Sequence, residues 1–281
     1  MKILVIGNCQ ARPLAQILTS DGTNTSLDPI ILHLAKDIDA EHHLAAMDEA
    51  DLILAQYTAP TFKPTHLEMR RVKNQFPQKT LVWPNIFYAG QHPYLRYVTH
   101  LDRGRISGPL DVYHDLRLLR DWYVERVGDC PFAIPASQDA VHHHSMKEFM
   151  DREAGCDVSI ADLIEENHAE RPLFFTFNHP TRWLLEQLAA KIAEKAGFRF
   201  DASAFTVPEP LGRISPPRGL LNKALEPEKY QGVNVDHDGS GPVGLVEYDW
   251  SALRAAQFHC YDRQETALRD HARIRMTPNF P

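Results

Sequence analysis

The sequence predicts an α/β protein with a mostly parallel sheet flanked by helices, long loops and a helical C-terminal segment. Three observations predict it. Short aliphatic runs recur at 2–6, 29–32, 51–55 and 80–83. Stretches of helical spacing lie between them, and the runs end in polar, aromatic or turn-forming residues. Parallel strands need a crossover, usually a helix, so this alternation reads as a doubly wound sheet.

The first run, Lys2-Ile3-Leu4-Val5-Ile6, is continuously aliphatic, as strands covered on both faces are. Gly7 ends it. Pro13 is tolerated only in a first helical turn, so a helix through Leu14, Ile17 and Leu18 starts within about four residues before it. Cys9 therefore lies at or beside a helix N-terminus. After the Asp21-Gly22 turn come a strand at 29–32, a helix at 41–50 and a strand at 51–55 ending in Gln56-Tyr57. Residues 64–76 have helical spacing, and the strand at 80–83 is stopped by Pro84-Asn85. Residues 86–108 form a long connection with too many aromatics for disorder. Helices are expected at 111–127, stopped by Gly128, at 137–152, and at 159–167, where Ser159 and Asp162 form a capping pattern.

A second strand-turn-helix begins at 173–177. Asn178-His179-Pro180 is its turn, and Leu184, Leu185, Leu188, Ala189, Ile192 and Ala193 stripe a helix ended by Gly197. Prolines and glycines then mark loops over 206–244, with a short helix between 220 and 225. Residues 249–273 read as a polar helical tail that either docks on the domain or mediates homo-oligomer contacts. The expected organisation is a catalytic domain over 1–204, with residues 205–281 packed on it.

At 281 residues and 43% hydrophobic, the chain can bury a large α/β core. Its net charge of -7 argues against a nucleic-acid surface, which needs a basic face. The N-terminal apolar run is too short for a signal-peptide core, and no stretch approaches the ~20 apolar residues of a membrane helix, so a cytoplasmic protein is expected. Cys9, Cys130, Cys156 and Cys260 form no Cys-x-x-Cys pair and read as free thiols. His142-His143-His144 point about 100 degrees apart on a helix and cannot share one ion, so no metal is expected.

In a doubly wound sheet, ligands bind at the carboxyl ends of the strands. Those ends carry Gly7-Asn8-Cys9-Gln10, Gln56-Tyr57 and Trp83-Pro84-Asn85. A helix N-terminus favours a thiolate, so Cys9 is a candidate nucleophile; the same N–H groups could hold a phosphate or an oxyanion. Asn8 and Gln10 suit a polar site better than a core-filling thiol. His179, at a turn between Asn178 and Pro180, is placed to accept a proton from a hydroxyl or from Cys9. His92, in the aromatic connection, is a further titratable candidate.

The Gly7-Asn8-Cys9-Gln10 run, the Trp83-Pro84-Asn85 element and the Asn178-His179-Pro180 turn together resemble the WcbI type of polysaccharide-biosynthesis acetyltransferases, over about residues 1–200. The resemblance implies binding of coenzyme A or acetyl-CoA and acetylation of a sugar hydroxyl in a capsular or surface polysaccharide. It carries over Cys9 and His179 as catalytic residues, with Gly7, Asn8, Gln10, Trp83, Asn85 and Asn178 around the coenzyme. Coenzyme A also needs phosphate-binding groups, for which Arg12 and Arg182 stand near two helix starts; Tyr57 and His92 complete the expected binding set. No Walker or Gly-x-Gly-x-x-Gly pattern follows the first strand. Two rival readings are a carbohydrate acyl-ester hydrolase and a noncatalytic coenzyme A or nucleotide-binding protein.

Overall fold

The structure is a computed structural model that describes residues 1–216, 229–235 and 242–279. The helix expected between 220 and 225 lies outside the described residues. In chain order the first half contains β1 (Lys2–Gly7), α1 (Ala11–Leu18), β2 (Thr25–Ser26), β3 (Ile30–Ile31), α2 (Ala40–Glu49), β4 (Leu52–Gln56), α3 (Met69–Gln75) and β5 (Thr80–Trp83). Then come β6 (Leu95–His100), β7 (Gly104–Arg105), β8 (Tyr113–Asp115), α4 (Leu116–Arg126), α5 (Gln138–Glu153), α6 (Ala161–Asn167) and β9 (Phe174–Thr176). The remainder is β10 (His179–Pro180), α7 (Arg182–Ala196), β11 (Tyr230–Val235), β12 (Pro242–Tyr248), α8 (Trp250–Arg263), α9 (Glu265–Arg269) and β13 (Ile274–Thr277).

The chain divides into two compact units, each discontinuous in sequence. The first comprises Met1–Phe87, Met146–Asn167 and His179–Leu211; the second comprises Tyr88–Ser145, His168–Asn178 and Gly212–Pro281.

The first unit is built on a five-stranded parallel sheet. β2 and β3 pair with one edge of β1, and β4 and then β5 continue from the other. The chain thus leaves β1 to one side, returns, and crosses to the other. The switch point of the sheet falls between the ends of β1 and β4. Side chains alternate across a strand, and Leu4, Ile6, Ile53, Ala55 and Val82 share one face with Met47 of α2 and Met69, Val72 and Phe76 on or beside α3. Helix α1 packs on β1 and on α7, and α7 reaches β5. Its buried stripe of Ala11, Leu14, Ala15, Ile17 and Leu18 follows helical periodicity. Leu14 and Ile17 are fully buried, each contributing about 1.5–3 kcal/mol of burial free energy. Gly197, at φ 74°, caps α7 in the left-handed conformation expected of it.

The second unit holds an antiparallel sheet in which β6 pairs with β13 on one side and with β7 and β8 on the other. Val98, Leu119, Trp122, Tyr123, Phe258, Tyr261 and Ile274 form its core with helices α4 and α8. Strands β11 and β12 make an antiparallel hairpin. No helix among the described residues is long and apolar enough to cross a membrane.

Several element boundaries differ from the sequence expectation, each for a local reason. Helix α3 starts at Met69 rather than near 64, because the Glu68 carboxylate takes the N–H groups of Arg70 and Arg71. Helix α4 starts at Leu116, where Asp115 caps Arg117, and the preceding residues pair with β6 instead. Helix α6 starts at Ala161; the carboxylate of Glu153, not Ser159, receives the N–H groups of Ile160 and Ala161. The long connection at 86–108 contains β6 and β7. The second strand-turn-helix is not a copy of the first, since β9 has three residues and lies outside the parallel sheet.

Candidate functional site

The turn after β1 is held by side-chain amides from three strand ends. The Asn8 N–H donates to Gln56 Oε1 at 2.8 Å, and Gln56 Nε2 donates to Gln10 Oε1 at 3.0 Å. Gln10 Nε2 donates to the Ile86 carbonyl at 2.6 Å, and Asn8 Nδ2 reaches Asn85 Oδ1 at 3.2 Å. Gln10 is fully buried and Gln56 nearly so, which makes every one of these bonds costly to lose. Trp83, fully buried, donates its indole N–H to the Leu54 carbonyl at 3.1 Å and lies flush against Gly7. A Cβ on Gly7 would stand 2.6 Å from the Trp83 ring, so glycine is required by close approach, not by an unusual backbone angle.

Cys9 is half-buried in this frame, two residues before α1. Burial pushes its thiol up to about 11, against the smaller downward pull of the Cys9 and Gln10 N–H groups. The expected thiolate is therefore not favoured, because desolvation outweighs the helix N-terminus. The Gln10 N–H also donates to Asn8 Oδ1 at 2.9 Å, and the Ala11 N–H to the Asn8 carbonyl at 3.0 Å, so these groups are already engaged. The Asn85 amide N–H₂ has no partner among the described residues and is an available donor.

His179 also belongs to the first unit, at the turn leading into α7, and α7 packs on α1. Burial brings its imidazole down to about 4, so it is neutral at pH 7. Beside it, the Thr181 hydroxyl is buried with no hydrogen-bond partner among the described residues. A buried orphan hydroxyl is rare enough to mark a place where a ligand atom completes the bonding. Thr181 was not singled out from the sequence, where its only signal is its place just before an apolar helix.

The other expected site residues fall in different surroundings. Tyr57 follows β4 on the same sheet edge, its N–H donating to the Trp83 carbonyl at 2.8 Å. Arg12 is exposed on the first turn of α1. Arg182 forms an ion pair with Glu186 and lies over Phe205, and its N–H donates to Glu209 at 2.8 Å. His92 and Asn178 belong to the second unit. His92 is buried, with Nε2 at 3.1 Å from the Phe174 carbonyl. Asn178 accepts from Tyr113 at 2.8 Å and donates to Tyr97 at 3.0 Å, which ties together two tyrosines whose rings pack at a tilt of 34°. Gln56, the hub of the network, was marked in the sequence only as a polar end to an apolar strand.

Fold and site together define an α/β enzyme framework with a polar thiol-bearing turn at the switch point of a parallel sheet. Comparison with known proteins makes this specific. The chain belongs to the family described as the polysaccharide biosynthesis enzyme WcbI, whose model matches residues 2–201. A solved structure described as "Structural insights into WcbI, a novel polysaccharide biosynthesis enzyme" shares the fold with a TM-score of 0.67 at 20% identity, over 93% of this chain and 90% of that chain. Its description specifies the native protein without a disulfide bond between coenzyme A and a cysteine of that protein. A search of curated protein sequences finds no match.

Proposed function

We propose that the protein is an O-acetyltransferase that moves an acetyl group from acetyl-CoA to a sugar hydroxyl during polysaccharide biosynthesis, in the cytoplasm. The observation that carries this reading is the match to the WcbI family over residues 2–201, with the Cys9 turn clamped by Gln56 and Asn85 at the switch point of the sheet. Burial, which holds both Cys9 and His179 neutral, bears on the route. With its thiol at about 11, Cys9 is ionised at pH 7 in only about one molecule in 10⁴. A neutral imidazole, by contrast, is ready to accept a proton. The route favoured is direct transfer. His179 takes the hydroxyl proton as the sugar oxygen attacks the thioester carbonyl. The carbon–sulfur bond then breaks, and coenzyme A leaves as its thiol with that proton. The imidazolium formed in between is poorly solvated, so it gains most when it faces the negative charge on the tetrahedral oxygen. The Asn85 amide and the Thr181 hydroxyl are the donors available for that oxygen and for the acceptor. Cys9 shapes the thioester pocket, and a coenzyme sulfur beside it accords with the related WcbI description.

The test is calorimetric titration of wild type, Cys9→Ala and His179→Ala with coenzyme A and acetyl-CoA, followed by release of coenzyme A from acetyl-CoA over a panel of acceptor sugars. Micromolar binding, about -8 kcal/mol, is expected for all three proteins. Transfer should fall about 10²–10⁴-fold in His179→Ala and less than about tenfold in Cys9→Ala. An equal loss in Cys9→Ala would replace direct transfer with a covalent acyl-cysteine. Absence of coenzyme binding, with water cleaving sugar acetates, would overturn the transferase in favour of a hydrolase.

A further inference from the structure

The two residues that lead into His179 are held by groups that the chemistry above does not use. Phe177 and Asn178 join the end of β9 to His179. The Phe177 carbonyl accepts the Tyr88 N–H at 2.7 Å. Its ring is fully buried and packs against two tyrosines, with its centroid 4.8 Å from Tyr97 at 83° and 5.3 Å from Tyr113 at 66°. Those tyrosines are cross-strand partners on β6 and β8, so both are carried by paired strands and not by loops.

The Asn178 side chain closes a ring of hydrogen bonds with the same pair. Its Nδ2 donates to the Tyr97 hydroxyl at 3.0 Å, that hydroxyl donates to the Tyr113 hydroxyl at 3.2 Å, and Tyr113 donates back to Asn178 Oδ1 at 2.8 Å. Each hydroxyl accepts once and donates once within the ring. The Thr176 hydroxyl donates to the same Oδ1 at 3.0 Å. Thr176 and Tyr113 are buried, so these bonds polarise one another in a poorly hydrated place and are costly to break. On the other side of His179 stands Pro180, which confines the residue before it to extended backbone. The imidazole is therefore carried by a stretch of backbone fixed at both ends.

We infer that Tyr97 and Tyr113, acting through Asn178, are positioning residues for His179 and hold its imidazole at the angle from which it takes the acceptor's hydroxyl proton. This rests on the proposed use of His179 as the base. A base must come within about 2.6–3.2 Å of the atom that it deprotonates, and a misplacement of about 1 Å caused far from the chemistry costs about 10²-fold in rate. The ring sets the peptide that precedes the base, and so the direction in which its side chain leaves the backbone. In this role Asn178 serves the chain and not the coenzyme.

The test compares wild type, His179→Ala, Tyr113→Phe, Asn178→Ala and the double variant Tyr113→Phe/His179→Ala. Tyr123→Phe is the control, since it removes a buried hydroxyl bonded to the Leu268 carbonyl elsewhere in the same unit. Circular dichroism establishes that each variant is folded. One readout is the His179 imidazole, followed through a pH titration by ¹H–¹⁵N NMR and assigned by its absence in His179→Ala. The other is release of coenzyme A from acetyl-CoA with the fastest sugar of the acceptor panel. In Tyr113→Phe and Asn178→Ala a loosened imidazole gains water, so its midpoint should rise from about 4 by about one pH unit or more. In the same variants kcat should fall about tenfold or more, with KM for both substrates within about twofold. Tyr123→Phe should change neither readout. Tyr113→Phe should cost nothing further once His179 is gone, because a positioning residue acts only through the group that it positions. A wild-type midpoint and kcat in both Tyr113→Phe and Asn178→Ala would overturn the positioning role and leave His179 as the base, as would an equal loss with and without His179. Full activity in His179→Ala would overturn the base and the positioning role with it. Absence of transfer in wild type would remove the acetyltransferase reading, and the midpoint alone would then decide whether the ring holds the imidazole.

Discussion

The two turns that carry Cys9 and His179 look alike in sequence and are built differently. The first ends a strand of a five-stranded parallel sheet and is clamped by Gln56, Asn85 and its own Asn8 and Gln10. The second follows β9, a strand of three residues outside that sheet, and its helix, at 15 residues, is nearly twice the length of α1. Yet both titratable groups share one electrostatic condition. Burial raises the acid, Cys9, and lowers the base, His179, so each is held in its uncharged form. The difference teaches that a helix N-terminus does not by itself make a thiolate. At Cys9 the N–H groups pull in the expected direction and lose to desolvation.

The largest expected effect tests that balance. At pH 7 an ordinary thiol near 8.5 is about 3% ionised, whereas Cys9 is ionised in about one molecule in 10⁴. Alkylation of Cys9 by iodoacetamide, followed by peptide mass spectrometry, should therefore be about 10²-fold slower than that of an exposed thiol, and should rise about tenfold per pH unit up to pH 11. Fast modification at pH 7 with a plateau would mean that the helix terminus prevails and would revive the covalent mechanism. The other three cysteines do not supply a reference, because burial raises Cys130, Cys156 and Cys260 as well.

A smaller effect separates the turns by their support. Gln56→Leu removes the acceptor for the Asn8 N–H and the donor to Gln10 Oε1, leaving two polar groups without their partners. Urea denaturation should show a loss of about 1–3 kcal/mol for each group left unsatisfied. At the second turn Asn178 joins Tyr97 and Tyr113 in the other compact unit instead. A stability unchanged in Gln56→Leu would show that water replaces the amide and that the turn is not rigid.

The same contrast explains what the sequence disclosed. The parallel sheet was legible because its strands are aliphatic runs punctuated by Gly7, Gln56 and Pro84, and because Pro13 and Gly197 mark helix ends. The thiol turn was legible through the unusual company of Asn8 and Gln10. What could not be read was long-range capping. Glu153 sets the start of α6 from the end of α5, and Asp157 holds both Lys73 and the Val82 N–H. Leu173-Phe174-Phe175-Thr176-Phe177 has the apolar content of a buried sheet strand, but it contributes only the three residues of β9, outside the parallel sheet. Composition alone does not choose the partner of such a run. The two-unit division has the same origin, since each unit is assembled from three separate segments.

The smallest effect concerns acid stability and belongs to the second turn. Histidine in the unfolded chain takes up a proton near 6.5, whereas folded His179 does so only near 4. Between these values the unfolded chain binds the additional proton, so the stabilisation that is complete above pH 6.5 is lost as the pH falls toward 4, by up to about 1.4 kcal/mol per pH unit. His114, fully buried in the second unit between Tyr261 and the Ile106 carbonyl, is lowered to about 4 for the same reason and adds a parallel slope. His43 is lowered as well, by burial and by His66. Replacing His179 with Gln should therefore flatten, not abolish, the fall in urea-unfolding free energy between pH 6.5 and 4, removing about one proton's worth of slope while the contributions of His114 and His43 remain. An unaltered slope would mean that His179 is protonated as readily folded as unfolded. It would then be an ordinary imidazole, still about three-quarters neutral at pH 7 and able to accept the hydroxyl proton, and burial would not be what keeps it a base.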